Sequence, residues 1–174
     1  MNTVTITLIR PTADLEQQAL AYRQAHFDAG ENIINGSELF DQTENYADWC
    51  KAVDANTRRE TVNPDWVLTD TFFALDEAGQ IVGIIDLRHE LNDFLKDFGN
   101  CGYSVHPAHR CKGYATEMLR QICGIAKAAG MTELHLSVER SNTPSVRTIE
   151  KNGGEYERSF AFEGEQADIY RIVL

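Results

Sequence analysis

The stretch from Cys101 to Val138 constrains the fold more than any other part of this sequence. A short run of strand-forming residues ends at Pro107, and a basic loop leads to Gly113, where apolar residues begin to recur at spacings of three and four. The recurring residues are Ala115, Met118, Leu119, Ile122, Ala126 and Ala129. Residues 133–138 then alternate apolar and polar side chains. The stretch therefore predicts a strand, a loop, an amphipathic helix over 113–129 and a second strand.

The remaining patterns add further strands and helices to these elements. Predicted strands cover 4–9, 66–75, 80–87, 159–162 and 168–173, and the second and third of them form an antiparallel hairpin. Predicted helices run from Thr12 or Asp14 to Ala29, around 46–56 as one or two short segments, and over 144–152. No repeat or linker interrupts this order. We therefore expect one α+β domain over residues 1–174, built on a mixed sheet.

Length and composition place the chain in an ordinary globular class. Its 174 residues suffice for a full core without disulfides, and 43% of them are hydrophobic. No apolar run approaches the ~18 residues of a membrane span, and the N-terminus lacks the pattern of a signal peptide. The four cysteines form no C-x-x-C pair, so we expect reduced thiols in a cytoplasmic protein.

Charge excludes one class of partner and marks one segment. The net charge of −11 disfavours a general nucleic-acid binder, because an acidic surface repels phosphate backbones. Residues 103–130 nevertheless hold four basic residues and one acidic residue, or +3. This excess is either a chance feature of a solvated helix face or a local anion site.

The loop that opens the amphipathic helix favours the anion site. The first amides of a helix have no intrahelical partners and carry partial positive charge, and Gly113 lets another group approach the backbone closely. Arg110 and Lys112 add full charges. This arrangement suits a pyrophosphate, although neither a Walker A sequence nor a Rossmann fingerprint is present. A metal site at His106, His109 and Cys111 is disfavoured, because the spacing is short and a fourth ligand is missing.

These residues resemble a known family. Arg110-x-x-Gly113-x-Ala115, after a strand ending in Val-x-Pro, is similar to the coenzyme A motif of the GNAT acyltransferase superfamily. The resemblance continues through Asn142-x-x-Ser145 to Asn152-Gly153-Gly154. A narrower resemblance, to a group of bacterial predicted acetyltransferases, covers nearly the whole chain. Its marks are Glu31, Gly36-Ser37, Arg88-His89-x-Leu91-Asn92, residues 102–105, 112–119 and 149–154, and Tyr170.

The resemblance implies a mostly antiparallel sheet whose central strands splay apart in a V, with helices on both faces and acetyl-CoA in the gap. The pantetheine arm would pair with the strand ending at Val105, whose amide would stabilise the oxyanion. Asn142 would hydrogen-bond this arm, and Ser145 would line the same wall. The implied pyrophosphate site comprises the amides of Cys111, Lys112, Gly113, Tyr114 and Ala115, supported by the side chains of Arg110 and Lys112.

Acyl transfer to an amine also needs proton transfer, and here the sequence departs from the superfamily pattern. Many members place a tyrosine general acid where this chain has Ile149, and some place a glutamate base near the position of Gly99. Tyr103, Tyr114, Ser145 or water could replace the acid. Glu139, at the carboxyl end of its strand, is the first candidate base, and His89 is the second.

The acceptor and the activity itself have alternative interpretations. Arg88, His89 and Asn92 are expected to line the acceptor pocket and to favour a carboxylate or phosphate on the acceptor, unless they form a solvated strand end. The acidic first hundred residues could instead attract a cationic acceptor. A small-molecule amine is preferred over a protein N-terminus or lysine. The rival function is a non-catalytic acyl-CoA sensor. A homodimer is possible, because homodimers are common in the superfamily.

Overall fold

The computed structural model describes residues 4–174 and contains seven strands and four α-helices in that range. The strands are β1 (Thr7–Ile9), β2 (Thr69–Leu75), β3 (Ile81–Arg88), β4 (Tyr103–Val105), β5 (Glu133–Glu139), β6 (Glu155–Phe162) and β7 (Glu165–Val173). The helices are α1 (Glu16–Asp28), α2 (Tyr46–Ala55), α3 (Tyr114–Ala128) and α4 (Thr143–Lys151). Short 3-10 turns over Ala13–Leu15 and Pro107–His109 precede α1 and α3. This architecture confirms the predicted α+β class.

The strands form two antiparallel sheets that meet at one end. The first has the order β1-β2-β3-β4, and the second has the order β5-β7-β6. A single bridge joins Gly99 to Leu136. Beside it the Asn100 amide donates to the His135 carbonyl at 2.6 Å, and the His135 amide donates to Asn100 Oδ1 at 2.8 Å. Within residues 4–174, β4 and β5 have no ladder between them beyond this junction, so the predicted splay is confirmed.

Helices cover both faces, and each face has its own core. Helices α3 and α4 pack Met118, Leu119, Ile122 and Ile149 on one side of the sheets. On the other side, α1, α2 and the loop between them form a largely aromatic core. Its bulky members are Tyr22, Phe40, Tyr46, Trp49 and Phe73. Two residues of the predicted α3 stripe lie at its margin, because Ala115 is half-buried and Ala129 is exposed.

The closing hairpin extends further than its sequence pattern predicts. Strand β6 begins at Glu155, directly after the glycine pair that ends α4, and β7 begins at Glu165. Residues 155–158 are exposed on an edge strand, so they carry no alternation of apolar and polar residues. In the part of the chain described here, no helix combines the length and the apolar character needed to cross a bilayer.

Candidate active site

The loop before α3 presents a run of backbone amides. Cys111 and Gly113 both have positive φ, 63° and 92°, which turns the chain sharply between the 3-10 turn and the helix. The first backbone hydrogen bond of α3 runs from the Glu117 amide to the Gly113 carbonyl at 3.1 Å. The amides of Tyr114, Ala115 and Thr116 therefore precede the intrahelical ladder and lie at the positive end of the helix dipole. Such an arrangement can hold an anion.

Gly113 is required here for its backbone conformation. A side chain at a φ of 92° is strained, whereas space is available, since a Cβ atom would meet only the Val4 methyl groups at 3.9 Å. The Lys112 side chain is exposed beside the loop. The residues predicted from 111 to 115 are thus brought together in one exposed turn.

Arg110 points to a carboxylate of the protein itself. Its two terminal nitrogens donate to Glu31 at 2.6 Å each, and its Nε donates to the Val105 carbonyl at 3.2 Å. Glu31 also bonds the ring of buried His26 at 2.8 Å. The hydrogen bonds from Arg110 are the main cause that lowers the pKa of Glu31 to about 2. The arginine of the motif therefore ties the loop to the chain after α1.

The free edge of β4 faces the gap between the sheets. The Asp86 amide donates to the Gly102 carbonyl, and the His106 amide donates to the Val82 carbonyl at 2.8 Å. Backbone groups alternate in direction along an antiparallel ladder, so the amides of Tyr103 and Val105 point away from β3. An extended chain in the gap could pair with this edge.

Helix α4 supplies the opposite wall of the gap. The Tyr103 hydroxyl hydrogen-bonds Ser145 Oγ at 2.7 Å, which links β4 to the first turn of α4. Asn142 caps the helix, with its Oδ1 accepting from the Ser145 amide at 3.3 Å. Burial raises the pKa of Tyr103. Ile149, at the position of the superfamily tyrosine, is a core residue that is 1% exposed.

The residues predicted for the acceptor pocket have different partners in the structure. Arg88 donates to the Gly99 carbonyl at 2.9 Å, whereas the adjacent His89 bonds Asp70 at 2.6 Å. Arg10 pairs with the same aspartate at 2.8 Å. Burial opposes ionisation of Asp70, but hydrogen bonds from His89 and Arg10 outweigh it and hold the pKa of Asp70 below its ordinary value. His89 is thus part of an ion-pair network separate from Arg88.

The other two predicted residues lie on loops or strand ends. Asn92 accepts from the Leu95 amide at 2.8 Å and donates to the Asp65 carbonyl, so it shapes the loop after β3. Glu139 is exposed at the end of β5. Its carbonyl accepts from the Asn142 amide, which brings this strand end next to the cap of α4.

A group of which sequence reasoning found only Arg88 lies where β4 begins. We call Glu38, Trp66, Asp86 and Arg88 the carboxyl cluster. Asp86 is fully buried, and its Oδ1 accepts from the Gly102 amide at 2.6 Å. Arg88 Nη2 lies 3.4 Å from Asp86 Oδ2 and 4.0 Å from Glu38 Oε1, and its guanidinium lies 5.7 Å from the Trp66 ring. One available signal was a carboxylate inside the apolar run of β3.

Comparison with known proteins places this geometry in a family. A family model described as the acetyltransferase (GNAT) family matches residues 39–154, which is more than half of the chain. The protein therefore belongs to the GNAT acetyltransferase family and is an acetyltransferase. No protein of curated function matches the sequence.

Solved structures share the fold over the whole chain. A protein assigned to the GnaT acetyltransferase family from Bordetella pertussis has a TM-score of 0.70 at 18% identity, covering 99% of this chain and 98% of that one. A Salmonella typhimurium protein solved with its cofactor acetyl-CoA gives 0.67 at 16% identity, with coverages of 99% and 95%. The microcin C7 self-immunity acetyltransferase MccE, in complex with acetyl-CoA and AMP, gives 0.70 at 16% identity, with coverages of 99% and 94%. At these identities the similarity establishes the fold.

Proposed function

We propose that this protein transfers the acetyl group of acetyl-CoA to a primary amine of a small molecule by direct attack. The observation that carries the proposal is that the backbone amides of residues 111–115, which we call the amide cradle, and the free edge of β4 both border the open gap. An amide cradle suits a pyrophosphate, and an open strand edge suits the amide-containing arm of a coenzyme. Acetyl-CoA bound to two proteins of the same fold supports this choice.

The proposed cofactor contacts use the backbone more than side chains. The amides of Cys111, Lys112, Gly113, Tyr114 and Ala115 bind the pyrophosphate, and Lys112 adds charge. Arg110 supports this site by holding the loop against Glu31 and the end of β4. Val105 donates its amide to the thioester oxygen, a contact that typically stabilises an acyl-transfer transition state by about 2.7–4 kcal/mol. Asn142 and Ser145 form the wall on the α4 side.

The chemistry requires a neutral amine and a leaving thiol. A lysine-like amine has a pKa near 10.4, so a proton must leave the nitrogen before or during attack. The thiol has a pKa of roughly 8.5 and can depart without an obligatory acid. Glu139 is an exposed carboxylate that could accept this proton through water. His89 is the second candidate, although its bond to Asp70 holds it away from Arg88.

The acceptor is proposed to be a small cationic amine that enters near Arg88. Arg88 already pairs with Asp86, and the His89 ring already bonds Asp70. An anionic group on the acceptor is therefore not needed to neutralise this region. We place the protein in the cytoplasm, which the free state of Cys50, Cys101, Cys111 and Cys123 supports.

Calorimetry and a turnover assay test the proposed function together. Titration with acetyl-CoA is expected to release or absorb measurable heat and to raise Tm by mass action. Thiol release is then followed across a panel of amines with and without carboxylate groups, plus a peptide. Absence of both heat and a Tm shift at millimolar acetyl-CoA would overturn the proposal. Tight binding with no turnover on any amine would instead support the acyl-CoA sensor.

A further inference from the structure

The carboxyl cluster has more negative than positive groups in a place where charge is costly. Glu38 is 8% exposed and Asp86 is 0% exposed as side chains, and Arg88 is the single cation beside both. Isolated buried charges are strongly destabilising, so buried carboxyl groups either pair or take up a proton. Burial, reinforced by the hydrogen bond and negative charge of Asp86, raises the pKa of Glu38 to about 9. One of the two carboxyl groups thus retains a proton at neutral pH.

The backbone is strained to bring Glu38 into this position. Glu38 and Leu39 both have positive φ, 50° and 65°, although neither is glycine. Each such residue costs on the order of 1–2 kcal/mol. The strain buries the carboxyl group of Glu38 and leaves Leu39 63% exposed, so hydrophobic burial does not explain it. Strain that serves to bury an acid is typical of a functional site.

The atoms without hydrogen-bond partners are concentrated in the same place. Five buried side-chain atoms in residues 4–174 lack a partner, and three of them are Asp86 Oδ2, Arg88 Nε and Trp66 Nε1. A proton on Glu38 supplies the donor that Asp86 Oδ2 needs. Unpaired buried polar atoms of this kind are uncommon in folded proteins.

The cluster also has the right position relative to the free edge of β4. Asp86 binds the Gly102 amide, which immediately precedes β4, and the amide cradle follows the other end of the strand. The distance from Gly102 to Val105 along an extended chain is roughly 10 Å. A coenzyme arm that runs along this edge from the cradle, with its thioester at Val105, therefore leaves this length of strand between the thioester and the cluster for the acceptor.

We propose that Glu38 and Asp86 form a carboxyl pair that holds one proton at rest, releases it when the cationic acceptor enters, and then accepts a proton from the acceptor amine through Glu38. This inference rests on the proposed function. Glu38 is the member that reaches the surface, so it contacts the amine, whereas fully buried Asp86 stays paired with Arg88. The pair thus takes the place of Glu139 and His89 as the base that the superfamily position near Gly99 lacks.

The step balances without any further reactant. The acceptor enters as an ammonium ion, and the proton that Glu38 held at rest leaves to water. The ammonium ion then gives one proton to Glu38 Oε. The neutral nitrogen attacks the thioester carbon, a C–N bond forms, and the C–S bond breaks with its electron pair on sulfur. The second nitrogen proton is transferred to sulfur, giving the amide and free thiol. Glu38 thereby regains the proton that it holds at rest.

Substitution of Glu38 by Gln removes proton transfer while keeping the size and hydrogen bonding of the side chain. Glu38→Gln is expected to lower kcat at least tenfold while leaving the Kd of acetyl-CoA unchanged. The matched control is Glu44→Gln, an exposed glutamate of the same loop, which is expected to behave as the parent protein. Asp86→Asn is expected to lower kcat similarly, and its Asn side chain still accepts from Gly102.

The readouts separate a chemical role from a structural one. Infrared spectroscopy at neutral pH is expected to show a protonated carboxyl band in the parent that Glu38→Gln lacks and Glu44→Gln retains. Parent-like kcat in Glu38→Gln, or absence of that band in the parent, would overturn the inference. Failure of the proposed function can be told apart from failure of this inference, because in that case the parent protein does not bind acetyl-CoA. If Asp86→Asn does not fold, the kcat of Glu38→Gln and the infrared band of the protonated carboxyl group still test the inference.

Discussion

The amide cradle and the carboxyl cluster lie at the two ends of β4 and are built in opposite ways. The cradle comes from consecutive residues, is exposed, and relies on backbone amides and one glycine with positive φ. The cluster draws on three separate segments, is buried, and relies on side-chain charge. Its strained backbone carries a glutamate where the cradle has glycine.

This difference indicates that one end of β4 recognises a feature common to many coenzymes, whereas the other end recognises one kind of acceptor. A pyrophosphate is recognised by dipoles that any helix start provides, so the cradle needs few specific side chains. An acceptor is recognised by the arrangement of charges in a confined space, and that arrangement depends on the whole tertiary structure. We therefore expect substitutions in the two regions to separate cofactor affinity from turnover.

The largest effect is expected where the loop that carries Glu38 touches β4. Gly36 has φ +77°, and a Cβ atom there would lie 2.3 Å from the Gly102 carbonyl oxygen. Gly36→Ala is therefore expected to lower the free energy of unfolding by about 3–5 kcal/mol, measured by urea denaturation. Gly79→Ala is the matched control, because Gly79 has φ +80° with open space around it. Equal losses in both variants would show that the close contact does not matter.

The next effect tests the cradle alone. Gly113→Leu is expected to raise the Kd of acetyl-CoA at least tenfold, because a side chain would fill the space that the pyrophosphate needs. The control is Gly130→Leu at the other end of α3, where φ is +91° against +92° and no atom lies within 4 Å of an added Cβ. Both variants should lose similar stability, since their backbone strain is matched. Calorimetry that finds undiminished affinity in Gly113→Leu would contradict the cradle.

The same contrast explains what the sequence could predict. The cradle was predictable because a strand end, a loop and a helix start follow one another from Val105 to Ala115. The cluster was not, since nothing in the pattern places Glu38 in a left-handed conformation or brings it to β3. Grouping Arg88 with His89 overlooked strand geometry, because consecutive residues point to opposite faces. The first half of β6 was also not predicted, because its exposed residues do not alternate between apolar and polar side chains.

The third prediction concerns stability and pH at the cluster. Because the folded protein raises the pKa of Glu38 to about 9, native Glu38 keeps its proton after the unfolded chain has lost it. The parent therefore loses stability as pH rises from about 5 toward 9, whereas the Glu38→Gln variant does not. Glu38→Gln is expected to be more stable by about 2 kcal/mol at pH 8, roughly 4–8 °C in Tm, with little difference at pH 4. A Tm gain that did not depend on pH would contradict the protonated state.

The smallest expected effect joins the two regions through Arg110. If this arginine stays with Glu31 when the coenzyme binds, Glu31→Gln loosens the loop and raises the Kd of acetyl-CoA about threefold to tenfold. If Arg110 instead leaves Glu31 for the phosphates, the same change frees it and lowers the Kd. We expect the first outcome, because the pair is bidentate at 2.6 Å and Arg110 also holds the Val105 carbonyl. Glu44→Gln is the control for charge, and calorimetry at two salt concentrations excludes a general electrostatic effect. An unchanged Kd would show that the cradle holds its shape without Glu31.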